Sequence, residues 1–220
     1  MSTLVVVSAG TSDPSSTRML ADRTAQRVAA LASESGESVA IRVVDLREIA
    51  AEVTTALVSQ HIGDGLRAAM DAVTAADGIV AATPVYAAGP SGLFTSFFQV
   101  LETDSLIGTP AVLAATAGTS RHALVADDQM RGMFGYLRAM TTPTALFAAP
   151  EDWADTALTG RIDRAALELL TLMRAGISDA LRQGNAARYQ TQFGSPNDPG
   201  IDLDSDLMRL AAGGGATHLP

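Results

Sequence analysis

Five short apolar runs, Leu4–Val7, Ser38–Val44, Ile79–Ala82, Ala111–Ala115 and Pro143–Ala148, constrain this chain more than any other feature. Each has the length of a strand, bounded by small or turn-forming residues. The stretches between them carry apolar residues at helical spacing. An amphipathic segment runs from Arg18 to about Ser33, and Leu66, Met70 and Val73 mark another within Gly63–Ala76. Ser91 caps a third with Leu93, Phe94, Phe97, Phe98 and Leu101 on one broad face, a face that reads as core or subunit interface. Helices are expected over His122–Met140 and Arg161–Arg182, while Glu48–Ile62 is mixed loop and partial helix. Strands alternating with helices in this way form a parallel sheet joined by right-handed crossovers.

The expected fold class is therefore α/β: a flavodoxin-like three-layer sandwich whose five-stranded parallel sheet has the order 2-1-3-4-5, with helices on both faces. Ligands of such sheets bind at the carboxyl ends of the strands, around the switch point. At 220 residues and 47% hydrophobic, the chain can build one sizeable α/β core. Residues 1–183 are expected to form that domain. The following 184–220 read as an irregular C-terminal arm, with Leu207, Met208 and Leu210 as a short apolar run that could dock on a partner subunit.

Several classes fall away on composition. The formal charge is −9, all 15 basic residues are arginine, and there is no basic run, so no nucleic-acid partner is expected. Cysteine is absent, and His61, His122 and His218 are scattered, so neither a thiol nucleophile nor a metal site is expected. No run reaches the roughly 18 apolar residues of a membrane span. Leu4–Val7 is too short for a signal-peptide core, and a cytoplasmic location is expected.

In this topology the loops after strands one, three and four emerge at one edge, and all three are unusual. The first, Ser8–Thr17, is crowded with hydroxyls ahead of a helix. It fits a phosphate cradle at a helix N-terminus and an ordinary N-cap equally well. The second, Thr83–Gly92, holds two prolines, two glycines and Tyr86; the third, Thr116–Ser120, is small and offers free amides. Small rigid loops with exposed backbone groups suit a flat heteroaromatic ring, and phosphate plus ring make a mononucleotide. A nucleoside triphosphate loop requires a lysine, and the chain has none. A dinucleotide fingerprint requires GxGxxG, and Ser8–Ser15 has one glycine. FMN is the best remaining fit.

The ordered motifs Ser-x-Gly-x-Ser-x-Pro-Ser-x-Thr at 8–17, Thr-Pro-Val-Tyr at 83–86 with Ser91-Gly92, and Ala-Thr-Ala-Gly-Thr at 115–119 followed by His122 resemble the NADPH-dependent FMN reductase family. The likeness spans roughly Leu4 to Arg174. It is strongest to the reductases that pass reduced FMN to luciferase-like monooxygenases. The resemblance implies that Gly10, Ser12, Ser15 and Thr17 meet the phosphate, with Arg18 as a possible counter-ion. It implies that Pro84, Val85 and Tyr86 lie against the isoalloxazine, and that Thr116, Ala117, Gly118 and Thr119 reach its pyrimidine edge. It implies NADPH or NADH as hydride donor, no catalytic side chain, and a homodimer or homotetramer.

Two alternatives accompany this reading: a reductase of quinones or azo compounds that retains its FMN, and a non-catalytic electron carrier. The family's first loop is usually Gly-Ser-x-Arg, where this chain has Ala9-Gly10-Thr11-Ser12. The arginine is missing, which suits an FMN that comes and goes. Arg121, His122 and Trp153 are read as surface, capping and packing residues respectively.

Overall fold

The computed structural model describes residues 1–185. The elements run β1 (Ser2–Ser8), α1 (Ser16–Glu34), β2 (Val39–Asp45), α2 (Ala50–Ser59), α3 (Asp64–Thr74), β3 (Gly78–Tyr86), β4 (Gly89–Pro90) and α4 (Gly92–Gln99). They continue with β5 (Pro110–Thr116), α5 (Arg131–Tyr136), β6 (Met140–Thr141), β7 (Leu146–Ala148), α6 (Thr156–Arg174) and α7 (Ile177–Asn185). The arm expected from residue 184 begins inside α7, which runs to Asn185; the remainder, with the apolar run Leu207, Met208 and Leu210, lies outside the described residues.

The sheet follows the order β2-β1-β3-β5-β6, every neighbouring pair parallel. This is the expected 2-1-3-4-5 order, with one difference in the fifth strand. The fifth strand comes in two pieces, β6 opposite Pro110 and Ala111 and β7 opposite Ala114 to Thr116. Pro143 sits in the gap and has no N–H to give a ladder. Arg131 bridges the gap, donating to Thr141 Oγ1 and to the carbonyls of Thr142 and Pro143 at 2.7–3.0 Å. Glu168 accepts from both the N–H and the hydroxyl of Thr144 at 2.8 Å.

Successive strand residues go to opposite faces, which sorts the core into two layers. Val5, Val7, Ile79, Ala81 and Leu113 pack under α2, α3, α4 and α5. Leu4, Val6, Val80, Ala82 and Val112 pack under α1 and α6. The Phe94, Phe97 and Phe98 face of α4 is core, at most 1% exposed. Phe98 stands 4.8 Å from both Phe94 and Phe134, ring centre to ring centre.

Three local expectations are corrected. Thr83–Tyr86 is the end of β3, not a loop, and pairs back through Val85 and Tyr86 with β4. The single helix expected over His122–Met140 is a 3-10 turn at Ser120–His122, a π-helical turn at Ala126–Met130 and α5. Gly132 and Gly135, each costing about 1 kcal/mol in a helix interior, lie within α5, which is only six residues long. The expected helix 161–182 is two: α6 starts earlier, at Thr156 behind the Asp155 cap, and ends at Arg174, and α7 begins after Gly176, whose φ of +59° leaves the helical region.

The β3–β4 turn places Ala87 and Ala88 at φ +48° and +62°. Two positive-φ central residues are the mark of the I′ hairpin, which favours Asn-Gly and penalises alanine. Replacing Ala87-Ala88 with Asn-Gly should raise unfolding stability by about 1 kcal/mol, read as a shifted midpoint at unchanged slope in urea denaturation.

Candidate functional site

The three loops converge at the carboxyl edge of the sheet on a cleft of about 240 Å³. Of the residues singled out above, Gly10, Ser12, Thr17, Pro84, Val85, Tyr86, Thr116, Ala117 and Gly118 line it. Thr11, Ser16 and Pro150 join them. Thr11 and Ser16 belong to the hydroxyl run already visible in the sequence. Pro150 follows β7, whose carboxyl end meets the same edge, so the rule that selected the other loops also selects it.

One end of the cleft is the start of α1. Ser15 is the N-cap, its Oγ accepting from the Arg18 N–H at 3.2 Å, and the helical bonds begin with Met19 N–H to the Ser15 carbonyl. The N–H groups of Ser16 and Thr17 therefore precede any intrahelical partner and carry the helix's partial positive charge. The two readings of this loop are thus divided between neighbours. Ser15 serves the cap, while Ser12, Ser16 and Thr17 face the cleft.

Arg18 does not reach that end. Its Nε donates to Asp22 at 2.8 and 2.9 Å, one helical turn on. Thr119 is also turned away, accepting from Arg121 N–H at 3.4 Å to cap the short turn that follows. Arg121 is exposed, and Trp153 is partly buried against the α1–α6 layer with Arg23 over its ring.

The walls are held by buried hydroxyls. Thr17 Oγ1 and Thr116 Oγ1 lie 2.6 Å apart, joining the first turn of α1 to the end of β5. The Ser91 N–H donates to Thr83 Oγ1 at 2.9 Å, and Ser91 Oγ caps α4 through Phe94 N–H. This closes the β3–β4 hairpin that carries Pro84, Val85 and Tyr86. The half-exposed Tyr86 has its hydroxyl 3.1 Å from Thr11 Oγ1, so the hairpin and the first loop touch across the mouth. Gln129 donates to the Ala88 carbonyl at 2.7 Å and steadies the hairpin tip from behind.

Behind Pro150, Asp152 accepts from the Ala149 N–H at 2.8 Å and from Arg161 at 3.0 Å. The Ala149 bond, and after it Arg161, hold this carboxyl below its ordinary value against the opposing pull of burial. Among the described residues there is no cluster of three or more potential metal ligands, and no helix is long and apolar enough to cross a membrane.

A flavin mononucleotide fits these residues. The cleft joins an anion-favouring helix start to small, backbone-rich walls. At Gly118 an added Cβ would meet no atom within 4 Å, so that wall faces open space a ring can fill. At Gly10 the opposite holds: an added Cβ would collide with Ser15 Oγ and press on Thr17.

Fold and site together define a flavodoxin-like oxidoreductase. Residues 2–154 match the family model described as NADPH-dependent FMN reductase. The chain belongs to the NADPH-dependent FMN reductase family: it is a flavin reductase, with FMN and NADPH or NADH as its cofactors. It is 38% identical over 152 residues to the FMN reductase (NADPH) of Pseudomonas aeruginosa, covering 68% of this chain and 78% of that one. It is 36% identical over 187 residues to the NADH-dependent FMN reductase SfnE of Pseudomonas putida, covering 82% and 96%. The solved structure of an oxidoreductase from Corynebacterium diphtheriae superposes with a TM-score of 0.77 at 42% identity, covering 80% of this chain and 98% of that one.

Two outcomes follow from this geometry. Gly118→Leu should fold with unchanged stability yet raise the KM for FMN more than about tenfold, whereas Gly10→Ala should lose about 1 kcal/mol of stability through its damaged cap; denaturation and steady-state kinetics on both variants separate the effects. Asp152, with its lowered pKa, contributes stability that is complete above the unfolded carboxylate value and lost as pH falls through the folded one. The stability difference between wild type and Asp152→Asn should therefore be constant above about pH 5 and shrink below about pH 4, measured by urea denaturation across that range.

Proposed function

We propose that this chain reduces FMN as an exchangeable substrate and supplies it to a flavin-dependent monooxygenase. The observation that carries the reading is the uncharged phosphate end. Ser12 and Ser16 offer hydroxyls there and Ser16 and Thr17 free N–H groups, while the guanidinium of Arg18, just past the cap, is bonded to Asp22. Neutral donors hold a phosphate less tightly than a charge-assisted pair does. A flavin held this way can leave once reduced.

In this reading Gly10, Ser12 and Thr17 hold the phosphate, and Ser15 and Arg18 support the loop as cap and ion pair. Pro84, Val85 and Tyr86 carry one side of the ring. Thr116, Ala117 and Gly118 form the other, with Thr119 fixing the turn behind them. When bound, FMN supplies the hydride acceptor and the nicotinamide nucleotide the donor. The protein's part is to orient the two and to present backbone N–H groups toward the ring edge where negative charge develops. No side-chain acid or base is needed.

The names of the relatives support the wider setting. SfnE is named for NADH-dependent reduction of FMN, and the Pseudomonas aeruginosa relative for NADPH. We place the reaction in the cytoplasm, by a homodimer or homotetramer, with the arm after residue 183 serving subunit or partner contacts. The exposed Val58, Leu124 and Tyr136 are apolar surface that such contacts would cover.

Purified protein should be colourless after dialysis, oxidise NADPH or NADH only when FMN is added, and drive a two-component monooxygenase in a coupled assay. Ser12→Arg should tighten FMN binding about tenfold by adding a charged phosphate partner, followed as quenching of flavin fluorescence. A yellow protein that keeps its FMN through dialysis and reduces quinones would replace this reading with the flavin-retaining one.

A further inference from the structure

A second depression, of about 310 Å³, adjoins the flavin cleft on the side of β2. Gly10 and Ser12 line both, so the two meet at the phosphate loop. A flavin whose phosphate rests against Ser12 therefore has further space beyond that phosphate, bounded by Met19, Arg18, Asp45 and Arg47. We propose that this depression is an adenosine subsite, which takes the adenosine phosphate half of a dinucleotide. FAD is FMN lengthened at its phosphate by that half, so FAD is the dinucleotide whose covalent connection matches the junction. The proposal rests on the cleft being the flavin site.

The chemistry of the lining matches a nucleoside better than a second free anion. Asp45 ends β2. Its Oδ1 accepts the Arg47 N–H at 3.1 Å, while its Oδ2 is ion-paired with Arg18 at 4.0 Å and Arg47 at 3.7 Å without accepting a hydrogen bond from either. That oxygen can accept from a ribose diol, as an acidic residue at the end of a second strand does in dinucleotide folds. Met19 is 47% exposed on the first turns of α1 and offers a polarizable apolar surface to a flat base. The Arg47 guanidinium offers a plane for stacking.

Charge narrows the ligand further. Asp13, Asp22 and Asp45 face two guanidiniums, and Arg18 is already bonded to Asp22. No spare positive charge is left for a dianionic 2′-phosphate. An adenosine with free ribose hydroxyls fits, whether it arrives on FAD or on NADH.

The test uses the full chain, with Asp45→Asn and Arg47→Ala beside wild type. Equilibrium binding of FMN and FAD is followed by flavin fluorescence, and KM is measured for FMN, FAD, NADH and NADPH. Both variants should weaken FAD about tenfold while FMN binding and kcat with FMN stay within about twofold. If NADH weakens and FAD does not, the subsite stands with the nicotinamide nucleotide as its source. If neither changes, or FMN weakens in step, the proposal is overturned. Free adenosine on wild type provides a check that needs no variant: it should compete with FAD or NADH and leave FMN binding unchanged. No competition against either dinucleotide overturns the subsite. Absence of NAD(P)H turnover with intact, adenosine-sensitive FAD binding would count against the proposed reaction and leave the subsite in place.

Discussion

The site depends on one buried hydrogen bond, between the hydroxyls of Thr17 and Thr116 at 2.6 Å. Thr17 opens α1 and Thr116 closes β5, and both are almost wholly shielded from water. A buried hydroxyl left without a partner costs about 1–3 kcal/mol, so each threonine holds the other in place. The end of β3, with the hairpin that carries Pro84 to Tyr86, runs beside Thr116, paired to it at Pro84. The spacing of phosphate loop, hairpin and third loop is thereby tied to the sheet rather than left to loop conformation.

The same edge separates tasks among neighbouring residues. Ser15 and Thr119 are spent on capping and Arg18 on Asp22, which leaves neutral groups toward the cleft. In the proposed reading this arrangement gives up binding strength at the phosphate. In a flavin reductase whose product must depart, weak retention is compatible with turnover, and the walls still orient the ring. Charge appears instead one step away, around Asp45, where the second depression begins.

Much of the fold was legible because burial imposes periodicity. Apolar strands alternating with amphipathic helices admit few arrangements, and the order of the sheet followed from them. What was misread involved breaks in those patterns. Pro143 and the Arg131 bridge split the fifth strand, and Gly176 interrupts a helix that apolar spacing alone would continue. Thr83–Tyr86 looked like a loop for its proline, yet it extends β3, with Pro90 on the short partner β4.

The amino-acid sequence by itself determined the α/β class, the edge at which the three unusual loops gather, and the chemistry available there: hydroxyls, glycines and backbone amides, with no lysine and no cysteine. Its ordered motifs also determined the family. Only the tertiary structure decided which of those hydroxyls face the cleft. It turned Ser16 inward and Ser15 to the cap, sent Arg18 to Asp22, joined Thr17 to Thr116 across the chain, and brought Pro150 to the wall. The reason is physical. A helix or strand repeats its side-chain directions with a fixed period, but a loop side chain points wherever its partner stands, and those partners are distant in sequence.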